Sequence, residues 1–517
     1  MTPTTSSRSR GHLRVLGAVA AASAAVLILS ACAGGSAQTS TAAASSTLNL
    51  GSTAQPVGYD TDSLQSANYL PYFQAVYDSL VRMEPDGTLV PMLATDWAFS
   101  DDRLTLTMKL RDDVTFTDKT PFDGEAVKAN LDRYRVSTAP DASFLKDITE
   151  VEVVGEHEVA IHLSAPNPAL PTYFTRAPGL MISPTALDQE SLKTEPIGSG
   201  PYVLDQDQTV IGSKYVYTRN DDYWDPDLVK YDSIVFNYFA DPNASLNALR
   251  SGQIDAAPIL VPDASVVEGA GFTINETQFD WLGLTFFDRA GAVVPALGDV
   301  RVRQALNYAV DGDEILAAIG EDRGTSTTQI FSKDSAGFME DLDDAYPYDP
   351  DKARELLDEA GYVDRFTLSM PTTAFFDQAI YATVKQQLAD VGVTVEYTDV
   401  GQDLIADLKA AEFPATVMQF AQPIDWQLIN EYLTTGASWN VFKVDDPTAN
   451  EIIARVQTGT DEESAAATVE LNEYVVEQAW FAPWYRIDSL YATDADTTVQ
   501  MQANNVAPYI YNYAPAS

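Results

Sequence analysis

Strand and helix signals alternate from Leu48 onward, and this alternation restricts the chain to a mixed α/β fold. Leu104, Leu106, Met108 and Leu110 recur at period two, as do Val159, Ile161 and Leu163 after a turn at Gly155, which is the pattern of half-buried strands. Helices are marked by their ends. Asp349-Pro350 reads as an N-cap followed by proline; Ala353, Leu356, Leu357 and Ala360 then form one apolar face, and Gly361 supplies the stop. Asp299 precedes Val302, Ala305, Leu306 and Ala309 in the same way. Asp311 and Glu314 have capping-box spacing ahead of Ile315, Leu316 and Ile319, with Gly320 behind them. Ile380, Val384 and Leu388 run up to Gly392, after which Val393, Val395 and Tyr397 alternate as a strand. The 517 residues exceed the roughly 250–300 at which one hydrophobic core stops growing, so at least two closely joined units are expected.

The N-terminus is set apart from this pattern. Met1–Arg14 is polar and basic, and Val15–Leu29 is an uncharged apolar run that ends in Leu29-Ser30-Ala31-Cys32. Such a run is shorter than the roughly 20 residues a spanning helix needs. Its ending resembles the lipobox of bacterial lipoprotein signal peptides, which implies cleavage before Cys32 and diacylation of that sulfur, anchoring a protein that does not span the membrane. Cys32 is the only cysteine, so no intramolecular disulfide can form. Ala33–Thr47 is rich in Ala, Ser, Thr and Gly and reads as a flexible tether. The three basic residues of the first 59 (Arg8, Arg10, Arg14) precede Cys32, which leaves 28 of the 31 Lys and Arg against all 75 Asp and Glu, a formal −47 for the exported chain. Nucleic acid is excluded as a partner on that balance, because phosphate binding needs clustered cations. The charge is read as a solubility device.

Catalytic equipment is sparse. Lipidation consumes the only thiol, and of the exported chain's two histidines, His162 alternates with Val159, Ile161 and Leu163 and should face the wetter side of its strand; His157 lies at the same hairpin. No Gly-Lys dipeptide occurs, which excludes a P-loop, and no Gly-x-Gly-x-x-Gly is present. Gly198-Ser199-Gly200-Pro201 lacks the nucleophile-elbow pattern and suggests a tight turn. Asp221, Asp222, Asp225 and Asp227 lack the glycine of a calcium loop and read as a solvated acidic turn. No cofactor and no metal is expected. Aromatic residues cluster at Tyr69–Tyr77, Trp281–Phe287, Trp426, Trp439 and Trp480–Tyr485; most should be core, and those beside polar residues are candidates for a cleft wall.

Seven ordered stretches carry a family resemblance over roughly residues 75 to 485. They are Val76-Tyr77-Asp78-Ser79-Leu80-Val81 with Val90–Trp97; Leu110–Phe116, followed by Asp118-Lys119-Thr120 where His-Asp-Gly is usual; Pro196–Tyr202; Arg219–Trp224; Leu249–Asp255; Asp299–Asp311; and Tyr348–Arg354 with Ala360-Gly361-Tyr362. The chain resembles the family 5 extracellular solute-binding proteins of ABC transporters, which include dipeptide-, oligopeptide- and nickel-binding proteins. The resemblance implies an α/β, two-lobed periplasmic-binding-protein-like fold of the large peptide-binding class with hinged lobes. Residues 1–31 would be the signal peptide and 32–47 the lipidated Cys and tether. Residues 48–280 would form lobe 1 with 80–195 as a subdomain, 281–482 lobe 2, and 483–517 the return to lobe 1.

The function so implied is a substrate-binding lipoprotein on the outer face of the bacterial cell membrane. It would be a monomer that captures a small polar solute, a peptide by preference, and delivers it to an ABC permease and, through that, to the ATPase subunits. In peptide-binding relatives an Asp before the segment matching Gln422–Leu428 holds the free amino terminus; here that position falls on Ala421 or Gln422, with Asp425 nearby in open register, so a less cationic or capped peptide, a sugar or another polar solute stays open. A nickel role is disfavoured by the two histidines. The expected site residues are Tyr69, Tyr72, Trp281, Gln422, Asp425, Trp426, Trp439, Asn440 and Tyr485, the aromatic ones stacking on ligand and Asn440 hydrogen-bonding to it. An exported glycosidase or peptidase and an acidic structural surface lipoprotein are the alternatives.

Overall fold

Thr273–Phe286 and Phe481–Thr493 pair antiparallel along nearly their whole length and form the axis of the structure. The computed structural model describes residues 47–64, 67–321, 323–363 and 366–516; the lipobox and Cys32 lie outside them. At one end of the axis Thr273 faces Thr493, and at the other Thr285 faces Phe481, with the register shifting between Gln278 and Asp280. This shift is a β-bulge, which bends its strand and interrupts the ladder. Thr273 and Glu276 are exposed and the other residues up to Asp280 are half-buried, whereas Trp281–Phe286 are all buried.

Around this axis runs a nine-stranded sheet. From one edge it contains Ala415–Ala421, the two long strands, Ala256–Ile259, Thr47–Ser52, Ser233–Tyr238, Lys214–Arg219 and Tyr202–Leu204, with Gly324–Ser326 added beside Phe481–Thr493. Thr47–Ser52 runs parallel to both of its neighbours. A separate antiparallel sheet orders Ala94–Phe99, Thr105–Leu110, Glu158–Leu163 and Ile148–Gly155, with helix Gly124–Tyr134 burying Ala126, Val127 and Leu131 nearby. The period-two reading holds there: Leu106, Met108 and Leu110 are buried, and His162 is half-exposed with Nε2 3.0 Å from Glu152. No described helix is long and apolar enough to cross a membrane.

Helix starts follow their caps. Asp349 accepts from Lys352 N ahead of Pro350–Glu359, and Asp299 accepts from Arg301 N ahead of Val300–Tyr308. Asp311 accepts from Glu314 N, but the expected box does not close. Gln387, from another helix, takes the Asp311 N–H at 2.9 Å and donates to Glu314 Oε2 at 2.8 Å, satisfying the orphan donor that Glu314 would otherwise have served.

Three of the sequence stretches singled out above converge on one carboxylate. Asp78 is fully buried and accepts from Ser199 Oγ, Tyr223 OH and Trp224 Nε1, each at 2.9 Å. Burial pushes its carboxyl up to about 7, against the three hydrogen bonds. Gly200 permits this approach: a Cβ there would sit 2.4 Å from the Val76 carbonyl carbon. The core does not divide at the 280/281 boundary. Trp281, Phe420, Trp426 and Trp480 belong to the same apolar cluster as Leu48 and Tyr77, because the long strands carry packing from one side to the other. A second cluster packs Leu282, Leu284 and Phe286 against Leu306, Leu357, Val384 and Leu388.

Candidate functional site

Thr367–Thr372 and Thr394–Asp399 form a parallel pair joined through helix Gln378–Asp390. Ligands of α/β units bind beyond the carboxyl ends of such strands, where the chain turns away and leaves a crevice. The two loops leaving these ends are tied together: Thr373 Oγ1 donates to Gly401 O at 2.9 Å, Val400 N donates to Thr372 O at 3.0 Å, and Gly401, at φ 56°, makes the turn. Between these loops, helix Leu404–Lys409, the middle of Thr273–Phe286 and the strand Ala415–Ala421 lies a cavity of about 950 Å³. Its walls include Asp280, Thr373, Phe375, Phe376, Asp399, Leu404, Ile405, Met418 and Gln419.

Asp280 is the distinctive group in this crevice. It sits immediately after the bulge, pairs with Ala421 through its backbone and accepts from Gln419 Nε2 at 2.9 Å. Burial raises its carboxyl above the ordinary range, with Gln419 offsetting part of the shift. Among the described residues it forms no ion pair, so a desolvated carboxylate is left for a cation from outside. Phe375, 77% exposed, and Ile405, 46% exposed, give the same crevice an apolar border. A half-buried acid beside exposed apolar surface suits a molecule with an ammonium group and an uncharged body.

The residues expected from sequence are spread more widely. Tyr72 stacks on Phe236 with ring centres 4.2 Å apart and donates to Ala54 O at 2.8 Å, wholly within the core. Trp281 is 1% exposed and packed edge-on to Phe481, because it faces the side of its strand opposite Asp280. Asn440 is fully buried and bonds Thr434 O, Val444 O and Val444 N, which fixes a turn. Tyr485 is buried in the second cluster, and Tyr69 is half-buried against the first. Gln422 is fully buried, donates to Ile330 O at 2.8 Å and has no partner for Oε1. Asp425 accepts from Ser335 Oγ and, at 3.1 Å, from Ala336 N, bonds that tie down a loop about 90 residues away in sequence. None of these seven lines the crevice. Trp426 and Trp439 stand together on another cavity, of about 470 Å³, whose walls include Phe144, Tyr173 and Glu431.

Asp280, Gln419 and Phe375 were missed by sequence reasoning. One signal was available for Asp280, an acid between Phe279 and Trp281 where the strand turns apolar and an unpaired charge is costly. Nothing local marks Phe375 or Ile405, whose exposure depends on loops closing around them.

The family model for bacterial extracellular solute-binding proteins, family 5, matches residues 88–435. Curated relatives include the glutathione-binding protein GsiB of Shigella flexneri and that of Escherichia coli strain K12, each 31% identical over 341 residues. Those matches cover 64% of this chain and 65% of theirs, so the similarity spans just under two thirds of the relatives' length. Among solved structures, HbpA2 from Haemophilus parasuis superposes with a TM-score of 0.82 at 21% identity, covering 91% of this chain and all of that one. The binding protein DppA from Helicobacter pylori, in complex with peptide STSA, superposes with a TM-score of 0.72 at 18% identity, covering 91% and 98%. At these identities the likeness shows the fold, a periplasmic-binding-protein architecture.

Proposed function

Because the chain belongs to the bacterial extracellular solute-binding proteins of family 5, we propose that it is the substrate-binding component of an ABC importer and captures a small polar solute, a peptide by preference, in the crevice beside Asp280. The observation that carries the site is Asp280 itself, a half-buried carboxylate without a basic partner among the described residues, in a cavity of about 950 Å³ and immediately after the bulge in the long strand. In this reading Asp280 takes the place of the carboxylate missing at Gln422 and receives the solute's amino group, a charge-assisted hydrogen bond that a neutral acceptor would make more weakly. The reading is supported by relatives named for binding glutathione, which carries a free amine, and by a structural neighbour solved with a peptide. Capture is a population shift: solute bridging residues 48–280 and 281–482 favours the closed arrangement, and a permease recognises that form. Solute capture accounts for the family and the crevice better than the glycosidase, peptidase or structural readings.

The experiment is calorimetric titration of the wild type and Asp280→Asn with glutathione, trialanine and N-acetyl-trialanine. Asp280→Asn is expected to weaken a free-amine ligand by about 1.5–3 kcal/mol, roughly ten- to a hundred-fold, and to leave the acetylated peptide unchanged. Equal affinity of mutant and wild type for every ligand sinks the assignment of Asp280.

Anchoring at the outer face of the cell membrane through Cys32 is part of the same proposal and is supported by Leu29-Ser30-Ala31-Cys32. Cys32→Ser is expected to move the protein from the membrane fraction to the soluble exported fraction, and unchanged partition would remove the anchor. The partners in this reading are the permease and its ATPase subunits, with the receptor acting as a monomer.

A further inference from the structure

The crevice beside Asp280 is charged in one sense only. Asp280 and Asp399 stand among the residues that line it, and no Lys, Arg or His does. Among the described residues neither acid forms an ion pair. The lysines of the two bordering helices are turned to other groups. Lys385, on Gln378–Asp390, lies 5.8 Å from the centre of the Tyr397 ring; Lys409, on Leu404–Lys409, donates to Ser438 O and lies 3.5 Å from the centre of the Trp439 ring.

Hydrogen-bond donors at the strand ends are spent within the protein. Asp399 Oδ1 accepts from Gly401 N at 3.0 Å, Thr373 Oγ1 accepts from Phe375 N at 3.3 Å, and Gln378 Nε2 donates to Thr373 O at 2.9 Å and to Phe376 O at 3.2 Å. The first turn of Gln378–Asp390 is closed as well, since Asp377 Oδ1 takes the Ala379 N–H at 2.8 Å and Asp377 O takes the Ile380 N–H at 3.1 Å. Gln419 Nε2 is held by Asp280. A carboxylate entering here would give up its water, meet like charge and find these donors engaged. The crevice also carries an apolar wall. Phe375 and Phe376 meet edge-on with ring centres 5.0 Å apart, and Leu404, Ile405 and Met418 join them. Phe375 and Ile405 are exposed, so a solute that covers them removes apolar surface from water.

We infer that the crevice selects a primary amine that carries a bulky apolar group and no carboxylate, such as a peptide with an amidated C-terminus. The ammonium group meets Asp280, the apolar group covers Phe375 and Ile405, and the far end of the solute carries no negative charge to be repelled by Asp399. A crevice of this volume has room for both groups. The inference rests on the receptor reading and narrows its solute class; it ranks glutathione, which carries two carboxylates, below such an amide.

The test titrates the full mature chain calorimetrically with alanyl-phenylalanine, alanyl-alanine and the C-terminal amide of each. Alanyl-phenylalaninamide is expected to bind saturably and more tightly than either alanyl-phenylalanine or alanyl-alaninamide by about ten-fold or more. Asp399→Asn, which keeps an acceptor for Gly401 N, should narrow the preference for amide over acid by about three-fold or more. Phe375→Ala should narrow the preference for phenylalanine over alanine by a similar factor. Both side chains are exposed, so neither replacement threatens the fold. Equal binding of acid and amide, or a preference for phenylalanine that survives both Phe375→Ala and Ile405→Ala, would overturn the inference. Binding that Asp280→Asn weakens while acid and amide stay equal overturns it and leaves the receptor reading intact. If none of the four dipeptides binds saturably, the crevice is not the capture site and the inference falls with it.

Discussion

Replacing Arg486 by leucine is expected to destabilise the protein by about 3–5 kcal/mol, the cost of breaking a buried ion pair by removing one partner. The Arg486 side chain is 1% exposed, donates to both carboxylate oxygens of Asp343 at 3.0 and 2.8 Å and to Phe331 O at 3.3 Å, and lies over the Phe338 ring. Burial alone would raise the Asp343 carboxyl, but Arg486, with Thr327 and Gln329, outweighs it and holds the group below its usual range. Without the guanidinium, Asp343 keeps two neutral donors and an uncompensated charge. The segment carrying Asp343 would also lose its side-chain tie to the long strand, while the backbone ladder of Gly324–Ser326 remains. Chemical denaturation measures the loss, and the double variant Arg486→Leu with Asp343→Leu should recover much of it, since both charges are then gone. A single-variant cost below about 1 kcal/mol would mean that water already reaches the pair.

The second large effect depends on pH and is carried by Asp78. Its folded carboxyl is pushed up to about 7 from an ordinary value of 3.8, so between these values the folded state holds a proton that the unfolded state has released. Stability from this group is therefore greatest below about pH 4 and is lost as pH rises through 7, on the order of 4 kcal/mol for three units. Asp78→Asn is near-isosteric and cannot ionise. Relative to wild type it should gain stability steadily from pH 4 to pH 8, as read from paired denaturation midpoints. A difference that moves the other way would show that Ser199, Tyr223 and Trp224 hold a stable anion.

Asp78 also shows what a linear reading recovers. Val76–Val81, Pro196–Tyr202 and Arg219–Trp224 were recognisable as motifs, but the reason for their residues is a contact between segments more than 120 positions apart. Helix starts were legible where cap and first turn are the whole story, as at Asp299 and Asp349. The Asp311 box failed because Gln387, distant in sequence, competes for the same groups. For the site, an aromatic beside a polar residue proved a weak guide: alternation along the strand buries Trp281 while turning its neighbour Asp280 toward the crevice. Membership of the family was readable from ordered motifs, whereas the crevice is assembled from two strand ends, a bulge and a loop that no single window contains.

Amide hydrogen exchange with and without saturating trialanine tests most directly whether solute is captured beside Asp280. Opening free energies respond to bound ligand where it contacts the chain. The expected result is protection concentrated in residues 372–378, 399–405 and 418–421 and along the paired strands on either side of the Gln278–Asp280 bulge. Protection that spares these segments, or saturable binding with no protection in them, would contradict the account.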